Sequence, residues 1–156
     1  MAINIRRIFA ALSLAAVLGL PTFAAADVTD YSEKQYSDRD YIAAMKAIDA
    51  KKWDQAVEAL KKSLAHDDKS AEIYNLLGYS ERNRGNLDAA FKYYDKALAL
   101  DPKHRGAREY VGEAYLMVGN VVKAEEQLAA LDKLCPYGCS EQTKLKSRIA
   151  EFNAKK

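Results

Sequence analysis

The sequence predicts an all-α fold in which three helix pairs stack into a solenoid closed by a C-terminal capping helix. Three observations carry that expectation. Small residues recur at one period: Ala56, Ala90 and Ala124 stand 34 residues apart. Turn signals and helix terminators keep the same register, Gly85-Asn86 with Gly119-Asn120 and Pro102 with Pro136. Between them apolar residues repeat three and four apart, as in Leu87-Ala90-Phe91-Tyr94-Ala97-Leu98, which is the spacing of one helical face. A fixed period of this length marks a stack of helical units, none of which can bury its apolar face alone.

The chain begins with a different pattern. Arg6 and Arg7 precede an apolar run from Ile8 to Leu20, broken only by Ser13 and Gly19. Pro21 ends the run and Ala24-Ala25-Ala26 supplies small residues. This order predicts a secretory signal peptide over residues 1–26, cut after Ala26. The run of 13 residues falls short of the roughly 20 that span a bilayer. No stable membrane insertion is therefore expected after cleavage. Export implies an oxidising compartment, and the compact signal points to a bacterial periplasm. Of 24 Lys and Arg, Arg6 and Arg7 leave with the signal, so 22 basic residues face 22 acidic ones. A neutral remainder gives no basic footprint for nucleic acid or an anionic membrane. Its 130 residues suit one domain with a real core.

Residues 27–36 are polar and are expected to form a lead-in. Three copies then fit residues 37–70, 71–104 and 105–138. Leu60, Tyr94 and Leu128 share the period, as do Gly78 and Gly112 with Ala44 one copy earlier. Lys51-Lys52 occupies the place of the Gly-Asn turns in the first copy. Proline disfavours helix in the residue before it, so Asp101-Pro102 and Cys135-Pro136 should stop their helices. In the second copy Glu81 stands where Ala47 and Tyr115 stand in the others, a departure that loosens a packing contact or serves a function. After the third copy, Ser140 is expected to cap a helix over 140–153. Leu145, Ile149 and Phe152 form its apolar stripe, which would cover the open face of the last copy.

The second copy, with Tyr74, Leu77, Gly78, Ala90, Tyr94, Ala97 and Pro102, strongly resembles the tetratricopeptide repeat. The third carries Val111, Gly112, Tyr115, Ala124, Leu128, Leu131 and Pro136 at matching places. The first, with Ala44, Ala47, Trp53, Ala56 and Leu60, is the most divergent. The resemblance covers residues 37–138. It implies a right-handed solenoid whose first helices line a concave groove for a partner segment. Carried over by residue, that groove takes Tyr41, Met45 and Ile48 from the first copy. The second supplies Asn75, Tyr79, Arg82 and Asn83, and the third Glu109, Glu113, Leu116 and Met117. Two readings of this face stay open. Aromatic, methionine and arginine side chains are typical interface anchors. Equally, Ile48 and Leu116 would be partly core and Arg82 would pair with Glu109 or Glu113. Members that clamp acidic chaperone tails use lysine and asparagine where this chain has Tyr41, Met45, Leu76, Gly106 and Tyr110, so that ligand is not expected.

Reactive groups are few. His66 and His104 fall on polar turns and are expected to be solvated. No HExxH, GxSxG, phosphate loop or CxxC motif occurs, so neither catalysis, a cofactor nor a metal is expected. Paired charges such as Lys61-Lys62 and Glu125-Glu126 read as solvated surface. Cys135 and Cys139 bracket Pro136, Tyr137 and Gly138 at the joint between the last copy and the cap. In an oxidising compartment a disulfide across that turn is the expectation. The function predicted is an exported adaptor or scaffold binding a protein or peptide segment. Thiol-disulfide redox chemistry at the two cysteines is the alternative, and self-association of the chain is a third.

Overall fold

The computed structural model describes residues 38–155; the signal-peptide segment and the lead-in lie outside them. Among the described residues seven helices run in order. They are α1 (Arg39–Asp49), α2 (Trp53–His66), α3 (Ala71–Asn83), α4 (Leu87–Leu100), α5 (Arg105–Met117), α6 (Val121–Leu134) and α7 (Ser140–Ala154). No strand occurs among the described residues, and no helix there is long and apolar enough to cross a membrane.

The Gly-Asn turns stop one helix and start the next. Gly85 and Gly119 take φ of 88° and 75°, a region that glycine enters without steric cost. The residue after each is an asparagine. Asn86 accepts from the Ala89 amide at 3.4 Å and Asn120 from the Lys123 amide at 3.1 Å. Each bond satisfies one of the first amides that a helix leaves unpaired. The first copy manages with worse residues: Lys51 holds φ of 55°, and Lys52 makes no capping bond. The first helix of each pair is also capped, by Asp38, Ser70 and His104, on the amides of Asp40, Ile73 and Ala107. Helices α4 and α6 stop at Leu100 and Leu134, just ahead of the X-Pro pairs.

Two local expectations are corrected. Ser140 is not the cap of the last helix. Cys139 holds that position in extended backbone without a side-chain capping bond, and Ser140 is the first helical residue. The disulfide explains the shift, since it holds Cys139 at the corner where the chain turns into α7. His104 is not a solvated turn residue. Its Nδ1 accepts from Ala107 at 3.2 Å, which leaves the hydrogen on Nε2 to be donated to Glu72 at 2.9 Å. His66 does remain exposed, 3.8 Å from Asp40.

The core is a row of three clusters, each joining a second helix to the first helix that follows. Ala44, Val57, Leu60, Ile73, Leu76 and Leu77 unite α1, α2 and α3. Ala90 and Tyr94 of α4 meet Val111 and Ala114 of α5. Ala124 and Leu131 of α6 meet Leu145 and Ile149 of α7. The capping helix therefore occupies the place of a fourth first helix. The glycines show how closely the helices approach. A Cβ on Gly78 would lie 2.5 Å from the buried Tyr94 ring, and one on Gly112 would lie 2.7 Å from Leu145. In the third copy the counterpart of Tyr94 is the shorter Leu128, and Leu145 of the cap comes in over the glycine instead.

Glu81 points into the stack rather than onto its surface. It is buried, and Arg84 lies 3.4 Å from its carboxylate. Arg84 also reaches Asp54 at 2.9 Å, so the pair ties α3 to the start of α2.

The Gly78 contact sets the first prediction. Alanine in a helix interior gains at most about 1 kcal/mol over glycine. Overpacking an enclosed aromatic costs about 1–3 kcal/mol. Tyr94 is fully buried and has nowhere to move, so the clash wins. Gly78→Ala should lower the unfolding free energy by about 1–2 kcal/mol, seen as a lower urea midpoint at unchanged slope.

Candidate functional site

The first helices α1, α3 and α5 place the expected groove residues on one side of the stack, and the structure divides them into three groups. Tyr41, Met45 and Ile48 of α1 are half-buried and pack against the first core cluster. They are partly core, as is Leu116, which packs on the third cluster. A second group gathers around Arg82. Its guanidinium lies 5.5 Å from the ring centres of both Tyr79 and Tyr110. Those two rings pack at 4.9 Å with their planes tilted by 43°, and Trp53 meets Tyr79 edge-on at 5.8 Å. The third group is exposed: Asn83, which donates to the Tyr79 carbonyl at 2.8 Å, and Met117, 56% exposed at the end of α5.

The charges on this face are already committed. Arg82 pairs with Glu113 rather than Glu109, and both side chains are largely buried. Glu113 also receives Arg148 of α7 at 3.5 Å. Glu109 is buried and receives Lys144 of α7 at 3.7 Å. Two carboxylates four residues apart on α5 thus meet two cations four residues apart on α7, an interhelical match made by the i, i+4 spacing on both sides. Further along, Arg105 reaches Glu141 at 3.8 Å. Asn75 is buried rather than presented, its amide nitrogen 3.4 Å from Glu72.

Burial shifts the titrations in this region. It pushes the Tyr110 hydroxyl up to about 12, with the nearby Glu109 charge acting the same way. Tyr94 is raised above its usual value, chiefly by burial, although the adjacent Arg82 opposes the shift. Burial also raises Glu109, and Lys144 offsets this only in part. These are the shifts of groups buried in a packed interface, not of an acid and base poised around a reacting atom.

Sequence reasoning missed Trp53 and Tyr110, which complete the aromatic cluster, and the whole contribution of α7. Leu116 and Met117 of α5 form one wall of a cleft of about 310 Å³, and Phe152 of the capping helix forms another. A signal for this was present, since Lys144 and Arg148 repeat the spacing of Glu109 and Glu113. Cys135 and Cys139 are disulfide-bonded with Cα atoms 5.7 Å apart. Cys135 is buried at the end of α6, Cys139 is half-exposed at the start of α7, and Tyr137 between them is fully exposed.

The shift of Glu109 makes a pH prediction. A carboxyl whose folded pKa lies above its unfolded value binds its proton more tightly when folded, so stability falls as pH rises from the unfolded value toward the folded one. The ordinary value is 4.5, and the loss persists above the folded one. Glu109→Gln should flatten that decline, so that its thermal midpoint gains on the parent above pH 4.5 and matches it in stronger acid. Equal gains at both pH values would assign the effect to packing.

Two sequence profiles described as tetratricopeptide repeat match residues 43–105 and 82–136. Together they run from 43 to 136, more than half of the chain. Among curated proteins the chain is 31% identical over 84 residues to the uncharacterized protein ycf37 of Guillardia theta, covering 51% of this chain and 47% of that one. It is 26% identical over 84 residues to the Protein O-mannosyl-transferase TMTC3 of Homo sapiens, covering 54% of this chain and 9% of that one. The chain thus spans less than half the length of the curated relatives it matches. A similar solved structure is that of the type III secretion chaperone SycD of Yersinia enterocolitica in complex with a peptide of the translocator YopD. It gives a TM-score of 0.65 at 20% identity, over 81% of this chain and 95% of that one, and shows likeness of fold. Period, turn chemistry, helix pairing and these matches agree, and the chain belongs to the tetratricopeptide repeat family.

Proposed function

We propose that this protein is an exported, non-enzymatic adaptor that holds a protein or peptide segment along the face of α1, α3 and α5. The observation that carries the reading is the state of that face. Its ionisable groups, Arg82, Glu109 and Glu113, are tied in ion pairs, and what remains accessible is aromatic, thioether and amide surface. Such surface recognises shape and apolar side chains. The similar SycD structure holds a peptide of its translocator, which supports the same use of the fold here. The basic, apolar and small-residue order of residues 1–26 supports export. The disulfide suits an oxidising compartment such as the periplasm.

A photo-crosslinking residue placed at Met45 or Asn83 tests the adaptor reading. In the native cells both positions should give one discrete adduct, which the outer positions Lys61 and Glu125 do not. Adducts of equal strength at all four positions would remove the groove from the account.

Cys139 supports a second reading, thiol-disulfide exchange. It begins α7, where the helix dipole stabilises a thiolate. The geometry resists it. Release of a Cys139 thiolate requires attack on Cys135, and that sulfur is the buried one. Attack on the accessible Cys139 instead releases a thiolate at the carbonyl end of α6, where the dipole disfavours it. A reduction potential below about −300 mV is expected for the bond, measured against a glutathione buffer series. A value near that of known oxidants would favour exchange.

A further inference from the structure

The cleft beside α7 continues the groove face of α3 and α5 onto a helix to which groove binding is not assigned. Its apolar part is made by Leu116 and Met117 from the end of α5 and Phe152 from α7. Its volume of about 310 Å³ sits at the lower end of ligand pockets, the size of an anchoring side chain rather than of a cofactor. The polar rim is unevenly charged. Glu113 is held between Arg82 and Arg148, and Arg148 also meets Glu151 at 3.3 Å. Lys155 lines the same cleft and is exposed, with no carboxylate within ion-pair distance among the described residues. Three cations therefore face two carboxylates across an apolar floor, and one positive charge is left over at the rim.

We propose that this cleft takes an anchor of the bound segment: a large apolar side chain flanked by a carboxylate, the side chain against Leu116, Met117 and Phe152 and the carboxylate at Arg148 and Lys155. The inference rests on the adaptor reading and adds the chemistry of the partner. It also gives α7 a second task. The helix that closes the core supplies half of the anchor site, so the Cys135–Cys139 disulfide that fixes its base also fixes the site.

The test uses the full-length, disulfide-bonded chain, with backbone amide shifts followed by NMR. The titrants are three capped dipeptides, acetyl-Leu-Glu-amide, acetyl-Leu-Gln-amide and acetyl-Leu-Lys-amide, together with acetyl-Leu carrying a free C-terminus. Acetyl-Leu-Glu-amide should move Leu116, Met117, Phe152 and Lys155 saturably in the millimolar range. Its glutamine counterpart should bind about fivefold more weakly, the worth of one partly exposed ion pair. Arg148→Glu should reverse the preference in favour of the lysine peptide, and circular dichroism would show that α7 stays folded. Free-acid acetyl-Leu binding as well as the glutamate peptide would place the recognised carboxylate at a chain end, while weaker binding would place it on a side chain; both keep the site. Shifts confined to Met45, Tyr79 and Asn83 would overturn the cleft and leave the adaptor reading standing. The same shifts with all three capped peptides would overturn the charge selection, and no saturable shift at the cleft would overturn the site.

Discussion

Each second helix of this chain carries an apolar face that only the next first helix can cover. That constraint organises the rest of the molecule. Ala90 and Tyr94 are enclosed only when α5 brings Val111 and Ala114, and Ala124 and Leu131 only when α7 brings Leu145 and Ile149. The rule makes no distinction between a repeat and a cap. α7 is not part of a repeat pair, yet it packs where the first helix of a fourth pair would go. Small residues at fixed places let these helices approach, and in the third copy, where Leu128 replaces the aromatic Tyr94 of the second, the glycine accepts Leu145 from the cap.

Magnitudes decide what holds the cap. Burying Leu145 and Ile149 contributes about 1.5–3 kcal/mol each. The disulfide adds only ~2 kcal/mol in the chain-entropy model, because the loop it closes is short. The ion pairs of Lys144 and Arg148, whose cationic ends are exposed and screened by water, add roughly 0–1 kcal/mol each. Packing therefore dominates, the disulfide sets the angle at which α7 leaves α6, and the ion pairs set its register along α5. A cysteine pair that looks like a redox motif in isolation serves here as the corner of a helical joint, with Cys135 enclosed and Cys139 at the cap position.

The same ion pairs define what the inner face can do. Glu109, Glu113 and Arg82 read from the sequence as a polar end of an open groove, with an arginine facing two glutamates. In the fold, Arg82 is stacked near Tyr79 and Tyr110 and bonded to Glu113, and α7 takes both glutamates. Charge that looked available is internal structure. The face that remains accessible presents rings, a thioether and the cleft at the edge of α7.

Local physics made much of this legible in advance. A 34-residue period, a Gly-Asn pair that ends one helix and caps another, and prolines that forbid continuation are short-range effects, and they specified the helices and their pairing. His104 and Ser140 were misread because their roles depend on residues far away or on the disulfide: Glu72 lies one repeat back, and Cys139 had first claim on the cap position. Trp53, Tyr110 and the basic side of α7 were missed because periodicity within one helix says which face is apolar, not which neighbour that face will meet. The sequence by itself determined a three-repeat helical stack with a cap and a joint that could be bridged. Only the tertiary structure decided which charges were consumed, which aromatics came together and that the cap forms one wall of a cleft. Those outcomes are set by contacts between helices many residues apart, where packing and desolvation outweigh any local preference.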